Sequence, residues 1–212
     1  LGITAPLISV VVGFCVAISL SRMKAKWRTI NLFVISLPLT FSGLIVAYGF
    51  ILAFGRAGFI TQIAAYFGAD PAVVGGFIFS PIGLGVAYSY YLIPRVVMIM
   101  MPAVQNFDPV QLSVARSLGA GKMRTLWEIM VPQVMPGLIA SFCLTSAVTM
   151  GAYGTALALV GTQMNILSLL LYSKVSEGGT DMPAAAAISL ILMAICCLVI
   201  ALGEVFVSRS KK

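Results

Sequence analysis

Side chains able to do chemistry concentrate between Asp108 and Pro132, where the chain reads DPVQLSVARSLGAGKMRTLWEIMVP. Gly119-Ala120-Gly121-Lys122 has the look of the end of a phosphate-binding loop. That motif also requires a glycine at the position of Arg116 and Ser or Thr at the position of Met123, and no apolar strand precedes it here, so nucleotide binding by this route is excluded. The chemistry left to the stretch is recognition. Asp108-Pro109 is a good helix start, an acidic N-cap followed by proline where a missing N–H costs nothing. Val110, Val114 and Leu118 then fall four apart on one face, with Leu112 and Ala115 beside it, and Gly119 supplies a stop. The spacing predicts an amphipathic helix of about two to three turns, followed by Lys122, Arg124 and a second amphipathic stretch that ends at Pro132. Such a helix either lies in the lipid interface, anchored by Trp127 and its cations, or docks on a partner.

Other chemistry is scarce. The chain has no histidine, which removes Ser–His hydrolysis, the HExxH zinc site and histidine proton relays. Asp70, Asp108, Glu128, Glu177 and Asp181 fall in or beside expected loops, and Glu204 near a helix end. No acid therefore stands at an expected bilayer midplane, where ion-coupled carriers keep ionisable groups. No cofactor is implied. Cys15, Cys143, Cys196 and Cys197 lie in apolar stretches without metal or disulfide spacing, and read as small buried residues.

The elements that must hold these residues are membrane helices. Apolar residues make up 60% of the chain, charged ones only 9%, and the mean hydropathy is +1.07. Soluble domains carry roughly 25% charged residues. Charge-free runs at 1–21, 29–55, 71–94, 129–173 and 182–203 compare with the ~20 residues needed to span the hydrocarbon layer. The expected fold is all-α and polytopic, with five transmembrane helices at about 3–21, 31–54, 73–101, 133–151 and 183–206. The unbroken apolar runs lack the alternation of a barrel wall. Of the 13 cations only Arg56 and Lys174 fall in one set of loops, so the opposite, basic loops are expected to be cytoplasmic. The net charge of +7 is thus topology and calls for no nucleic-acid partner. With an odd number of spans and Leu1 at the start, a preceding helix is expected to be missing.

Polar residues suited to a path are Thr145, Thr149, Tyr153, Gln163 and Asn165, around the fourth span and its glycine-rich extension. That extension is expected to line a cavity as irregular backbone; helix–helix hydrogen bonding is the alternative for each residue.

The island resembles the cytoplasmic loop of binding-protein-dependent ABC importer permeases, whose signature is EAA, three residues, Gly, nine residues, Ile, any residue, Leu, Pro. Here Ser113-Val114-Ala115, Gly119, Ile129, Val131 and Pro132 occupy those positions in register. Asp108-Pro109 and Ala115-Arg116-Ser117-Leu118-Gly119-Ala120 are also typical. Tyr172-Ser173 and Met182-Pro183 onward resemble the family's approach to its last span. Phe54-Gly55-Arg56-Ala57-Gly58 resembles an outer loop of the polyamine, ferric, sulfate, thiamine and phosphonate subgroup. Ser113 replaces the family glutamate, Val114 an alanine and Val131 the leucine.

The resemblance implies one permease domain over 1–212 with a coupling loop at about 102–132, in a bacterial plasma (inner) membrane. It implies pairing with a second permease subunit, docking on separate ABC ATPase subunits and delivery of a small solute by a substrate-binding protein. The implied coupling residues are Asp108, Val110, Ser113, Val114, Ala115, Arg116, Leu118, Gly119, Ile129 and Pro132. ATP hydrolysis would reside on the partner, with no catalytic residue in this chain. The competing class is a secondary transporter or channel subunit working without an ATPase.

Overall fold

The computed structural model describes residues 2–161, 166–176 and 182–209. Among them there are helices and connecting turns, and no strand. The order is α1 (Thr4–Ser21), α2 (Ala25–Ser36), α3 (Gly43–Phe54), α4 (Phe59–Tyr66), α5 (Pro71–Gly76), α6 (Pro81–Gln105), α7 (Pro109–Ser117), α8 (Lys122–Thr125), α9 (Val131–Gly151), α10 (Tyr153–Val160), α11 (Leu167–Ser176) and α12 (Met182–Arg209). Five segments are long and apolar enough to cross a membrane: Thr4–Ser21, Gly43–Tyr66, Pro81–Gln105, Leu126–Gly151 and Met182–Ser208.

The hub is α6. Ser80 caps it by accepting from the Gly83 N–H at 3.2 Å, and Pro81 occupies the first turn. Leu84, Leu92, Val96, Val97 and Met100 are fully buried along it. It packs against α1, α9, α10 and α2. Apolar burial does not drive helix association in lipid, so close fit must, and Gly13 of α1 supplies it. A Cβ built there would stand 2.7 Å from Val96 Cγ1, inside any permissible contact. By contrast α12 meets mainly α9 and α11 and leaves most of its apolar surface uncovered.

Several boundaries differ from the sequence expectation. The helix expected over 31–54 is interrupted. Pro38 has no N–H for the carbonyl of Val34, so the helix tightens into a 3-10 turn, Leu37–Thr40, and Phe41 and Ser42 are extended before α3 restarts. The third span begins at Pro81, not near 73, because Asp70-Pro71 starts a separate short helix; the Asp70 carboxylate accepts from the Ala72 N–H at 2.8 Å. It also continues to Gln105, so the connecting loop begins later than 102. The described parts of the glycine-rich extension after α9 are mostly helical, in the short pieces α10 and α11, where irregular backbone was expected.

Candidate functional site

The chain leaves α6 at Gln105 and starts α7 at Pro109, with little slack between them. The Asp108 carboxylate accepts from the Val110 N–H at 2.9 Å, satisfying one of the donors that a helix start leaves open. At the other end Gly119 takes φ +85°, and the Ala120 N–H closes back on the Ala115 carbonyl at 3.0 Å. This is the left-handed helix stop that its position in the sequence predicts. No other chain atom lies within 4 Å of where a Gly119 Cβ would be, so the requirement for glycine is one of backbone conformation, not space.

Val110, Val114 and Leu118 are 59%, 54% and 83% exposed, forming an uncovered apolar stripe along α7. Ala115 is turned inward and buried. Ser113, at the glutamate position of the signature, donates its hydroxyl to the Val110 carbonyl at 2.7 Å. Arg116 belongs to α7, but its side chain lies outside the described ones. Next to the helix, Arg124 Nε and the Glu128 carboxylate pair at 2.9 Å across one exposed turn.

The return to the membrane is firmly rooted. Thr125 is buried and its hydroxyl donates to the Gly121 carbonyl at 2.9 Å. Leu126–Met130 form a π turn leading into α9. Pro132 explains it: proline lacks the N–H that the Glu128 carbonyl would take, and its ring crowds that carbonyl, so the helix widens there. Ile129 is half-buried. Met130 joins Val10, Ala17, Val96, Met100, Val104 and Val134 in a core cluster, with Phe107 and Leu126 packed on it. Gln133 donates to Gln111, linking the start of α9 to α7. α7 is thereby tied directly to the π turn and α9, and through Met130 of that turn to the α1–α6 core.

A second candidate lies within the helices. A cavity of about 540 Å³ opens where α3, α6 and the α9–α10 junction meet. Its lining includes Ser42, Gly43, Tyr91, Arg95, Gly151, Tyr153, Gly154, Thr155 and Tyr172. The Tyr153 and Tyr172 rings stack with centroids 5.7 Å apart. The hydroxyl of Tyr88 donates to the Ala152 carbonyl at 2.9 Å, pinning the junction to α6.

Of the path residues expected from sequence, Tyr153 lines this cavity. Thr149 borders a separate, smaller space of about 160 Å³, its hydroxyl donating to the Thr145 carbonyl at 2.7 Å. Thr145 is fully buried and bonds the Ser141 carbonyl at 2.6 Å, which marks it as a packing residue of α9. Gln163 and Asn165 lie outside the described residues. The sequence reading missed Arg95, Tyr91 and Thr155. Arg95 counts there among the basic-loop cations, yet it sits well inside α6. The signal for it was a lone arginine preceded by an apolar run within one span length, a placement that by itself marks a functional position.

With this geometry in hand, the comparisons with known proteins decide the family. The profile of the binding-protein-dependent transport system inner membrane component matches residues 9–212. The chain belongs to that family. It is 27% identical over 201 residues to the sulfate transport system permease protein CysW of Synechocystis sp., covering 93% of this chain and 70% of that one. It is 28% identical over 167 residues to the spermidine/putrescine transport system permease protein PotB of Escherichia coli, covering 79% of this chain and 60% of that one. The chain thus spans well under the full length of such relatives. The fold is shared with the inward-facing MetNI methionine ABC transporter (TM-score 0.69, 14% identity, 100% of this chain and 93% of that one). It is shared also with a bacterial alginate ABC transporter (TM-score 0.70, 16% identity, 100% and 77%). The all-α polytopic architecture and the resemblance to ABC importer permeases are both borne out.

Proposed function

We propose that this chain is the permease subunit of an ATP-binding-cassette importer, forming the path for a small solute and coupling it to a separate ATPase. The α7 surface carries the reading: a capped helix with an uncovered apolar stripe, held by short connections to α6 and α9. A helix so held transmits displacement to the spans instead of absorbing it. In this reading α7 lies on the cytoplasmic side, as the basic loops require, and docks in a cleft of the ATPase. ATP binding closes the ATPase pair, moves the docked helices and reorients the path between two permease subunits. A binding protein delivers the solute on the opposite face. The chain contributes conduit and lever, and its partner contributes hydrolysis. The location is a bacterial inner membrane, with 1–212 acting as one permease domain.

The experiment is to purify the membrane complex by a tag on this chain and to measure ATP hydrolysis with and without the co-encoded binding protein. Co-purification of an ATPase whose rate rises on adding that protein supports the reading. A stable complex without any ATPase would sink it in favour of a secondary transporter or channel.

A further inference from the structure

We propose that the cavity between α3, α6 and the α9–α10 junction binds an anionic solute in transit, an assignment that rests on the permease reading above. Three independent features converge there. First, it contains a permanent cation. Arg95 lies about 15 Å from the Gln105 end of α6 and about 21 Å from the Pro81 end, at 1.5 Å per residue. In a hydrocarbon layer about 30 Å thick that depth is expensive for a guanidinium unless it faces water or a counter-charge. Among the described residues no carboxylate lines the cavity and Arg95 makes no ion pair.

Second, two helix N-termini open into the same space. α3 starts at Gly43 and α10 at Tyr153, and neither start has a side-chain cap. The first turn of each helix therefore presents N–H groups without intrahelical acceptors, at the positive end of the helix dipole. The two starts touch: a Cβ on Gly43 would run into the Thr155 hydroxyl, so the glycine lets the two helix starts pack closely.

Third, two buried hydroxyls share too few partners. Tyr91 is 9% exposed and Thr155 is 0% exposed, and their hydroxyls lie within reach of each other and of no other partner among the described residues. Tyr91 and Arg95 stand one helical turn apart on the same face of α6. Bonded to each other, the pair uses only one of its two O–H donors, so one donor beside the cation is left for a ligand that accepts hydrogen bonds. An anion satisfies all three sets of donors. A cationic solute would meet the unpaired guanidinium, offset only by the carbonyls at the C-terminal end of α9.

The probe is a pair of thiol reagents of similar size and opposite charge, sulfonatoethyl and trimethylammonioethyl methanethiosulfonate. They are applied to the full membrane complex carrying Tyr153→Cys, with Cys15, Cys143, Cys196 and Cys197 replaced by alanine. Each rate is divided by that reagent's rate with a free thiol in solution. The expected result is a normalised anionic-to-cationic ratio well above one. Arg95→Gln should lower it about tenfold or more, and Arg95→Lys should largely restore it. A parental ratio at or below one overturns the assignment, as does a ratio indifferent to Arg95→Gln or a cysteine that neither reagent reaches. The parental ratio is read with Arg95 intact, so an unstable Arg95→Gln still leaves a decision. Labelling needs no ATP hydrolysis, whereas the permease reading stands or falls on the co-purified ATPase, so the two failures are distinct.

Discussion

The Tyr88 hydroxyl donates to the Ala152 carbonyl at 2.9 Å, joining the middle of α6 to the point where α9 ends and α10 begins. Ala152 has φ −82° and ψ 69°, a non-helical break between the two helices, and the Tyr88 bond fixes that break against α6. Tyr88→Phe removes that donor and changes little else. It is expected to destabilise the folded chain by about 0.5–1.5 kcal/mol, the net contribution of one hydrogen bond. Thermal unfolding of the purified complex in detergent measures it, and an unchanged midpoint would show that the junction is held by packing alone.

Gly119 allows a sharper test, because its space is open and only its φ is special. Placing an L residue in the left-handed region costs roughly 1–2 kcal/mol, least for Asn and most for β-branched side chains. Gly119→Asn should therefore keep most binding-protein-stimulated ATP hydrolysis while Gly119→Val loses it, both at normal membrane levels. Equal activity in the two variants would mean that this helix stop is not used in coupling.

What was legible in the sequence is what acts locally. Asp108, Pro109 and Gly119 shape α7 through their own backbone, so their types and spacing already define the helix. Positions that depend on distant partners were not legible. The interruption itself has a local cause in Pro38, but the place where α3 restarts goes with its seating on α10, where Gly43 meets Thr155, and no local pattern encodes that contact. Thr145 and Thr155 look alike as hydroxyls in an apolar run. One is spent on its own helix and the other turns to Tyr91 and Gly43 of neighbouring helices, and only the tertiary arrangement separates them. Arg95 is hidden differently, because a charge tally groups it with the basic loop although the expected span, 73–101, already encloses it, as α6 does.

The α1–α6 contact predicts intolerance at Gly13. A side chain there would drive into Val96, and both helices are committed to the core at that level. Gly13→Ala is expected to cost about 1–3 kcal/mol through overpacking, with Gly13→Leu abolishing the folded complex. Val96→Ala should recover part of the loss in Gly13→Ala by making room. Size-exclusion profiles of the three variants report this, and a Gly13→Leu that elutes and unfolds like the parent would show that the two helices are not so close.

In the proposed docking, α7 must be held to the ATPase by the groups it exposes. Ser113 is neutral and its hydroxyl already bonds the Val110 carbonyl, so it offers no charged contact where the signature places an acid. The exposed ion pair nearby, Arg124–Glu128, is internal to one turn and contributes little to stability or docking. The stripe of Val110, Val114 and Leu118 is what remains to be covered. Burying a leucine contributes about 1.5–3 kcal/mol, so Leu118→Asp should weaken the association by roughly 10- to 100-fold or more. Raising the salt concentration shortens the Debye length and loosens exposed ion pairs, yet leaves apolar contact intact. Washing the immobilised complex with rising salt should therefore retain the ATPase on the parental chain, while Leu118→Asp should release it at low salt. Release from the parent by moderate salt, with Leu118→Asp still holding its ATPase, would assign the docking to charge and remove the apolar stripe from the interface.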